Sequence, residues 1–176
     1  GDTVGIIGLG AIGQMTGQLL KLFGTSVVGL DLDAERAKMF ARWGTATTDS
    51  ADFAKAGGDL SDGRGFDAVI FSAGSPELVA KAVTWLRDGG TLNVFASFHP
   101  DPFLTLDLNQ IYHRELSLLS SYSPSLVDLK ESLDLIASGR FDPLLLAPKS
   151  FTFQMFDAAV QAVKSRRALK SVLVSQ

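Results

Sequence analysis

The sequence contains no cysteine among its 176 residues. This absence excludes a disulfide-stapled scaffold, a zinc or iron–sulfur site with cysteine ligands, and a thiol nucleophile. Only two histidines are present, His99 and His113, and neither lies in an H-x-x-E or H-E-x-x-H pattern. We therefore expect neither histidine to bind zinc. The sequence also lacks the G-x-S-x-G segment that carries the nucleophile of many serine hydrolases.

Charge and hydropathy exclude further classes of function. The 16 basic and 19 acidic residues give a net charge of −3, and no basic stripe is present, which argues against binding to nucleic acid. No apolar run reaches the length of a membrane span, and the first residues do not resemble a signal peptide. We therefore expect a cytoplasmic protein. Because the first residue is Gly1, we also expect the chain to be a piece of a longer protein.

The remaining composition is that of an ordinary globular chain. Hydrophobic residues make up 46% of the sequence and charged residues 20%. A chain of this length buries a substantial core without metal or disulfide staples, and it predicts one domain plus a fragment of another.

Strand-like and helix-like patterns alternate from the first residue, which predicts a parallel sheet covered by helices on both faces. The expected strands are Val4–Gly8, Ser26–Asp31, Thr45–Thr48, Phe66–Ser72, Thr91–Ala96 and Leu116–Ser121. The expected helices span 12–22, 34–43, 76–86 and 124–138, with a short helix over Ala51–Ala56. We expect a loop over 97–110. Residues 141–176 do not continue the repeat and predict a strand–helix–strand tail, so the expected domains are 1–140 and 141–176.

A glycine-rich segment follows the first strand and opens the first helix. It fits the G-x-G-x-x-G pattern and consists of Gly8, Leu9, Gly10, Ala11, Ile12 and Gly13. In this context the first glycine permits a tight turn, the second lets the backbone approach a pyrophosphate, and the third lets helix and strand pack closely. The free amide groups at the start of the helix then face the phosphates. A protein kinase loop or a P-loop would need lysine-bearing segments that are absent here.

Asp31 stands at the end of the second strand, 18 residues after Gly13. A carboxylate in that place accepts hydrogen bonds from both ribose hydroxyls of the adenosine half and repels a 2′-phosphate, so NAD is favoured over NADP. Leu32 follows it and is expected at the same site. Asp33 is the rival acid, but it precedes a helix and is expected to cap it. Arg36 is expected to be a solvated surface charge.

With these features the chain resembles the medium-chain, zinc-type alcohol dehydrogenase superfamily along nearly its whole length. The resemblance is carried by Gly5–Gly13, Val28–Asp31, Gly65–Val69, Ser72–Gly74, Leu86–Thr91, His113–Leu116, Phe156–Ala159 and Lys170–Val174. The segment 113–122 is closer to polyol and threonine dehydrogenases than to zinc-free quinone reductases. The family has a Rossmann lobe that binds NAD(P) and a preceding GroES-like lobe that carries zinc ligands. The resemblance therefore implies a Rossmann lobe over 1–140 and a tail that returns to the other lobe.

The resemblance also implies residues on the nicotinamide side of the cofactor. These are Ser72, Ala73 and Gly74 after the fourth strand, Ala96, Ser97 and Phe98 after the fifth, and Ser117 and Leu119 in the sixth. It further implies pairing of two Rossmann lobes, in a homodimer or tetramer, through an edge strand. The alternating segment Phe103–Leu108 is the expected edge strand.

Two classes of function follow from these expectations. The first is the NAD-binding half of an alcohol or polyol dehydrogenase, whose zinc lies in the other lobe and whose NAD accepts hydride from the alcohol. Alone, such a half is expected to bind NAD without oxidising alcohols. The second is a free-standing NAD sensor without catalysis. A zinc-free quinone reductase is a further alternative, which Asp31 disfavours because such enzymes usually prefer NADPH.

Overall fold

The computed structural model describes residues 1–98 and 103–175, and the chain folds into two compact units. The first unit ends at Ser125 and the second begins at Leu126. The sequence-based boundary at 140 thus differs from the boundary between the compact units, because the helix expected over 124–138 belongs to the second one. Assignment of 141–176 to a separate catalytic lobe stays a prediction.

The first unit alternates strands and helices as the hydrophobic pattern predicts. Its strands are β1 (Thr3–Ile7), β2 (Ser26–Leu30), β3 (Thr45–Thr47), β4 (Phe66–Phe71), β5 (Leu86–Val94) and β6 (Ser117–Ser120). Its helices are α1 (Ala11–Leu22), α2 (Ala34–Phe40), α3 (Ser50–Leu60), α4 (Pro76–Trp85) and α5 (Leu108–His113).

These strands form one six-stranded sheet in the order β3-β2-β1-β4-β5-β6, and every neighbouring pair is parallel. The expected Rossmann architecture is therefore confirmed. The chain builds outwards from β1 in one direction and from β4 in the other. Ile7 at the end of β1 lies in register with Leu30 on one side and Phe71 on the other. A crevice at the carboxyl ends of β1 and β4 is where ligands bind in sheets of this order.

Alternate residues of the central strands enter two separate cores. Ile6 and Val27 belong to one buried cluster, and their neighbours Ile7 and Val28 belong to the other. Because successive strand residues point to opposite faces, the two clusters lie on the two faces of the sheet. The larger cluster includes Phe53, whose ring centroid is 4.7 Å from that of Phe66 and 5.2 Å from that of Trp85.

Helix α3 is longer than the helix predicted over Ala51–Ala56. It continues through Gly57 and Gly58 and ends at Leu60. Asp49 starts the helix by accepting hydrogen bonds from the Ala51 and Asp52 amides. At Gly57, a Cβ atom would lie 2.3 Å from the ring of Phe66. This glycine, which follows the last residue of the predicted helix, therefore serves close packing of α3 against the sheet.

Three further expectations are corrected from β5 to β6. Strand β5 starts at Leu86 and not at the predicted Thr91, so Asp88, Gly89 and Gly90 lie in an irregular first half of the strand. Over 103–107 no strand forms, and the expected edge strand is therefore wrong. Helix α5 begins at Leu108 within the expected loop, because the Asp107 carboxylate caps it by accepting from the Asn109 amide at 2.9 Å.

The second unit contains the predicted strand–helix–strand tail after an initial helix. Its elements are α6 (Leu126–Ala137), a 3₁₀ turn at Pro143–Leu146, β7 (Lys149–Thr152), a 3₁₀ turn at Phe153–Met155, α7 (Phe156–Lys164) and β8 (Ser171–Val174). Strands β7 and β8 pair in parallel, and α7 packs on them. Ala159 and Ala162 are the buried residues of α7. Among the helices of the described residues, none is long and apolar enough to cross a membrane.

A partly buried carboxylate joins the amino ends of three strands. Asp67 of β4 accepts the Thr3 amide of β1 at 2.7 Å, and its other oxygen pairs with Arg87 of β5. Its side chain is 13% exposed. Burial raises the pKa of Asp67, but the hydrogen bonds from Arg87 and from the Thr3 amide outweigh it and hold the pKa below its ordinary value of 3.8.

We predict that Asp67→Asn lowers the free energy of unfolding at pH 7 by about 1–3 kcal/mol, since it removes charge-assisted hydrogen bonds. The folded pKa lies below the unfolded one, so this contribution is complete above about pH 4 and disappears as the pH falls through the folded pKa. Urea unfolding between pH 7 and pH 2 should therefore show a shallower pH dependence in the variant. The control is Asp59→Asn, which breaks an exposed pair with Lys55 and should change stability far less, because solvent screens such a pair. An Asp67→Asn variant as stable as this control would contradict the prediction.

Candidate functional site

The chain turns sharply at Gly8, directly after β1. Gly8 has a φ of +90°, and its amide donates to the Leu30 carbonyl at 2.8 Å. A Cβ atom here would lie 2.7 Å from the Ala73 Cβ and 2.8 Å from the Ala73 nitrogen. Both the backbone conformation and the contact with the segment after β4 therefore require glycine at this position.

The other two glycines of the segment differ in what surrounds them. At Gly13, a Cβ atom would lie 2.0 Å from the Gly8 carbonyl oxygen, so only glycine lets α1 approach the turn this closely. At Gly10, a Cβ atom would meet nothing within 4 Å, although Gly10 is the N-cap residue of α1. The fold therefore needs Gly13, whereas Gly10 borders open space in front of the helix.

The amino end of α1 is suited to bind an anion. Gly10 offers no side chain to cap the helix, and the helix has no acidic residue in its first turn. The amide groups of the first turn lack partners within the helix and carry the positive end of its dipole. Open space in front of such amides is the arrangement by which backbone groups hold phosphate.

Asp31 lies beside this turn and is hydrogen-bonded to it. One carboxylate oxygen accepts the Leu9 amide at 2.8 Å, and the other accepts the Asp33 amide at 2.9 Å. The side chain is only 11% exposed. A carboxylate has about four lone-pair directions, so these two hydrogen bonds leave acceptor capacity for a ligand.

Two charged residues, Asp33 and Arg36, lie close to Asp31 and have different partners. Asp33 caps α2 as predicted, since its carboxylate accepts the Glu35 amide at 3.0 Å and the Arg36 amide at 3.3 Å. The expectation that Arg36 is a solvated surface charge is wrong. Its guanidinium lies 3.6 Å from the Asp31 carboxylate and 3.7 Å from that of Asp33, and its side chain is 25% exposed. The first turn of α2 brings the three groups together.

Gln14 was not predicted from the sequence, yet it links the glycine turn to α2. It is 2% exposed, and its Nε2 donates to the Leu9 carbonyl at 3.2 Å and to the Arg36 carbonyl at 2.9 Å. Its Oε1 accepts from the Trp43 indole at 3.3 Å. The buried residues of α1 are Gly13, Gln14 and Gly17, whereas the apolar residue Ile12 is 44% exposed. In the sequence, the only signal at this position is a polar residue between two glycines at helical spacing, Gly13 and Gly17.

The segment after β4 forms the other side of the crevice. The Ser72 amide donates to the Ile7 carbonyl at 2.8 Å, and the Ser72 hydroxyl lies 2.7 Å from the Gly8 carbonyl oxygen. Gly74 has a φ of +145°, which favours glycine. Ser72, Ala73 and Gly74 are therefore brought directly against the glycine turn.

The remaining predicted nicotinamide-side residues lie further along the sheet. Phe98 stacks on Phe71 with the ring centroids 5.9 Å apart, and Ala96 packs against the same core, while Ser97 is exposed. Ser117 and Leu119 lie exposed in β6, which β5 separates from β4. At the other end of the site, Leu32 is 91% exposed.

The described residues do not supply a metal site. Within 1–98 and 103–175 no group of three or more His, Cys, Asp or Glu side chains could hold a metal ion. His113 ends α5, where its ring contacts that of Tyr112. His99 lies outside the described residues.

Comparison with known proteins assigns the chain to a family. A family profile described as zinc-binding dehydrogenase matches residues 11–138, which is more than half of the chain. The chain belongs to the zinc-binding dehydrogenase family. This places it in the medium-chain, zinc-type alcohol dehydrogenase superfamily that its sequence motifs resemble.

Among the relatives in this family, the sorbitol dehydrogenase of Halalkalibacterium halodurans is 28% identical, over 98% of this chain and 52% of that protein. The probable D-xylulose reductase A of Arthroderma otae is 27% identical, over 98% of this chain and 50% of that protein. The chain thus spans about half the length of these relatives.

Solved structures share the fold. The alcohol dehydrogenase TADH from Thermus sp. ATN1 matches all of this chain and 51% of its own, with a TM-score of 0.91 and 20% identity. The short chain alcohol dehydrogenase of Escherichia coli CFT073, complexed with NADH, matches 98% of this chain and 51% of its own, with a TM-score of 0.83 and 22% identity.

The different surroundings of Gly10 and Gly13 give a direct test of the turn. We predict that Gly13→Ala lowers the free energy of unfolding by about 3 kcal/mol or more, because the added Cβ would overlap the carbonyl oxygen of Gly8. The matched variant Gly10→Ala should cost less than about 1 kcal/mol, the usual effect of alanine at an N-cap position. Urea unfolding of both variants measures the difference. Equal losses of stability would show that the helix and the turn are not packed as described.

Proposed function

We propose that this chain is the NAD-binding part of a zinc-dependent dehydrogenase that oxidises an alcohol or polyol to a carbonyl compound. The observation that carries the proposal is the 2.8 Å hydrogen bond from the Leu9 amide to the Asp31 carboxylate. It fixes the candidate phosphate-binding turn and the candidate ribose-binding carboxylate to each other. The names of the relatives, sorbitol dehydrogenase and xylulose reductase, support the alcohol or polyol substrate class.

In this proposal each part of the crevice binds one part of the dinucleotide. The pyrophosphate lies in the open space beside Gly10, against the amides of α1. The two ribose hydroxyls of the adenosine half donate to Asp31. The residues after β4 and β5, together with Ser117 and Leu119, line the nicotinamide side. The NADH complex of the structurally similar Escherichia coli protein supports a nicotinamide dinucleotide as the ligand.

The zinc of the proposed enzyme would be held outside this chain, in the other half of the longer protein. Zinc there would polarise the oxygen of the alcohol. The residues of this chain would bind the dinucleotide and orient the nicotinamide, so that the carbon accepting hydride faces the substrate. Positioning of this kind lowers the reaction barrier without any side chain of this unit exchanging a proton.

The proposed protein is cytoplasmic and forms a homodimer or tetramer. Strand β6 ends the sheet, and its four residues, Ser117–Ser120, are all exposed. The open edge of such a strand can pair with a second copy of the same strand. Since residues 103–107 form no strand, β6 is the edge that supports this part of the proposal.

The ligand site is tested by placing a side chain in the open space beside Gly10. We predict that Gly10→Val retains the circular dichroism spectrum and nearly the stability of the native chain, because its Cβ meets no protein atom. It should lose NAD binding in isothermal titration, since the valine methyl groups occupy the space of the pyrophosphate. Native NAD affinity in this variant would mean that the turn is not the phosphate site.

Cofactor choice is tested at Asp31. We predict that saturating NAD stabilises the chain by roughly 1–3 kcal/mol and that NADP does so much less. Replacement of Asp31 by Gly should reduce the difference between the stabilisation by NAD and that by NADP, mainly because NAD binds more weakly. Thermal unfolding with each dinucleotide measures both effects, with Asp59→Gly on the exposed surface as the control variant. Equal stabilisation of the native chain by NAD and NADP would refute the role given to Asp31.

A further inference from the structure

We infer that Gln14 is a positioning residue for the proposed dinucleotide site. Its buried side chain closes a ring of hydrogen bonds that holds the glycine turn and Asp31 in the arrangement that binds the ligand. Gln14 itself does not touch the dinucleotide. The inference rests on the proposed function, because it requires the pyrophosphate to lie beside Gly10 and the adenosine ribose to lie against Asp31.

The ring passes from residue to residue and returns to its starting point. The Leu9 amide donates to one oxygen of Asp31 at 2.8 Å, and the other oxygen accepts the Asp33 amide at 2.9 Å. The Asp33 carboxylate accepts the Arg36 amide at 3.3 Å. Gln14 Nε2 donates to the Arg36 carbonyl at 2.9 Å and to the Leu9 carbonyl at 3.2 Å. Gln14 therefore closes the ring between the glycine turn and the first turn of α2.

The polar groups of Gln14 are all engaged within the protein. Its Nε2 carries two N–H groups, and two backbone carbonyls accept from it, at 2.9 Å and 3.2 Å. Its Oε1 accepts from the Trp43 indole at 3.3 Å. The residue is 2% exposed. Gln14 thus has no donor left for a ligand, and its effect on binding passes through the groups that it holds.

Leu9 is the residue that this ring fixes most directly. It lies between Gly8 and Gly10, and the backbone of glycine has more conformational freedom than that of any other residue. The Asp31 carboxylate holds the Leu9 amide, and Gln14 holds the Leu9 carbonyl, so both polar groups of the backbone are fixed. A turn that is fixed before the ligand arrives loses less entropy on binding, which increases the affinity.

A role in folding alone is the alternative, and the two roles change different quantities. A side chain that only packs the interior changes the free energy of unfolding and leaves the affinity of the folded chain for NAD unaltered. A positioning residue also changes that affinity, because closure of the ring and binding of the ligand are then coupled.

The first test is isothermal titration of the 176-residue chain with NAD. Gln14→Met keeps the length of the side chain and removes its hydrogen bonds, whereas Trp43→Phe removes the contact with Oε1 and keeps both contacts of Nε2. Gln14→Met should weaken NAD binding by about fivefold or more, the effect of losing one or two hydrogen bonds. Trp43→Phe should change the affinity by less than about twofold, because Nε2 still closes the ring. Urea unfolding establishes that each chain is folded under the titration conditions.

Hydrogen exchange in the native chain is the second test and needs no variant. If Gln14 favours NAD binding by a given factor, bound NAD favours the closed ring by the same factor. Saturating NAD should therefore slow the exchange of the Gln14 side-chain amide protons by about fivefold or more, as followed by nuclear magnetic resonance. The side-chain amides of Gln154 and Gln161, which are exposed residues of the second unit, are internal controls and should not change.

The inference is overturned if folded Gln14→Met binds NAD as tightly as the native chain does, or if Trp43→Phe loses as much affinity as Gln14→Met. Should Gln14→Met fail to fold by circular dichroism, the exchange measurement decides the matter. An exchange rate of the Gln14 side-chain amide that NAD leaves unchanged then overturns the inference.

The outcome for the proposed function is separate. A folded native chain that binds no NAD overturns the proposed function, and the role of Gln14 with it. Ordinary NAD binding that does not depend on Gln14 overturns the role of Gln14 alone.

Discussion

The hydrogen bond between the Leu9 amide and the Asp31 carboxylate is the interaction on which the proposed site depends. Asp31 is nearly buried, and a buried carboxylate is stable only when its oxygens are satisfied. The Leu9 amide meets that need, and the carboxylate in turn fixes the path of the glycine turn. The buried side chain of Gln14 makes a second link between the turn and α2, because its Nε2 donates to both the Leu9 carbonyl and the Arg36 carbonyl. The turn, the end of β2 and the start of α2 therefore form one rigid corner.

The order of the strands supplies the open space next to that corner. Because the chain runs outwards from β1 and from β4 in opposite directions, the connections after these two strands diverge and leave a crevice at their carboxyl ends. Ser72 ties the connection after β4 to the glycine turn through the Ile7 and Gly8 carbonyls. The three glycines of the turn have different roles. Gly8 and Gly13 permit close backbone packing, and Gly10 borders the open crevice.

The features that could be predicted from the sequence are those fixed by local pattern. Six strands, the tight turn at Gly8 and the helix cap at Asp33 each follow from residues within a few positions of one another. The features that could not be predicted depend on distant partners. Arg36 was expected to be a solvated surface charge, and nothing in the sequence marks Gln14 as a link, until the fold brings α1 and α2 together. Gly57 lies just beyond the predicted helix over Ala51–Ala56, and only the packing of Phe66 shows why it is a glycine. Helix α5 was hidden because its cap, Asp107, stands in a segment whose alternation suggested a strand.

Nuclear magnetic resonance gives the most direct measurement of where the chain binds a dinucleotide. The ¹⁵N-labelled chain would be titrated with NAD, and the amide shifts of all assigned residues followed. We expect the largest changes at the amides of Gly10–Gly13 and Asp31–Asp33, with smaller changes at Ser72–Gly74, because these groups border the proposed pyrophosphate and ribose positions. A saturable response that leaves these three segments unchanged, or no response at millimolar NAD, would contradict the assignment of this corner as the dinucleotide site.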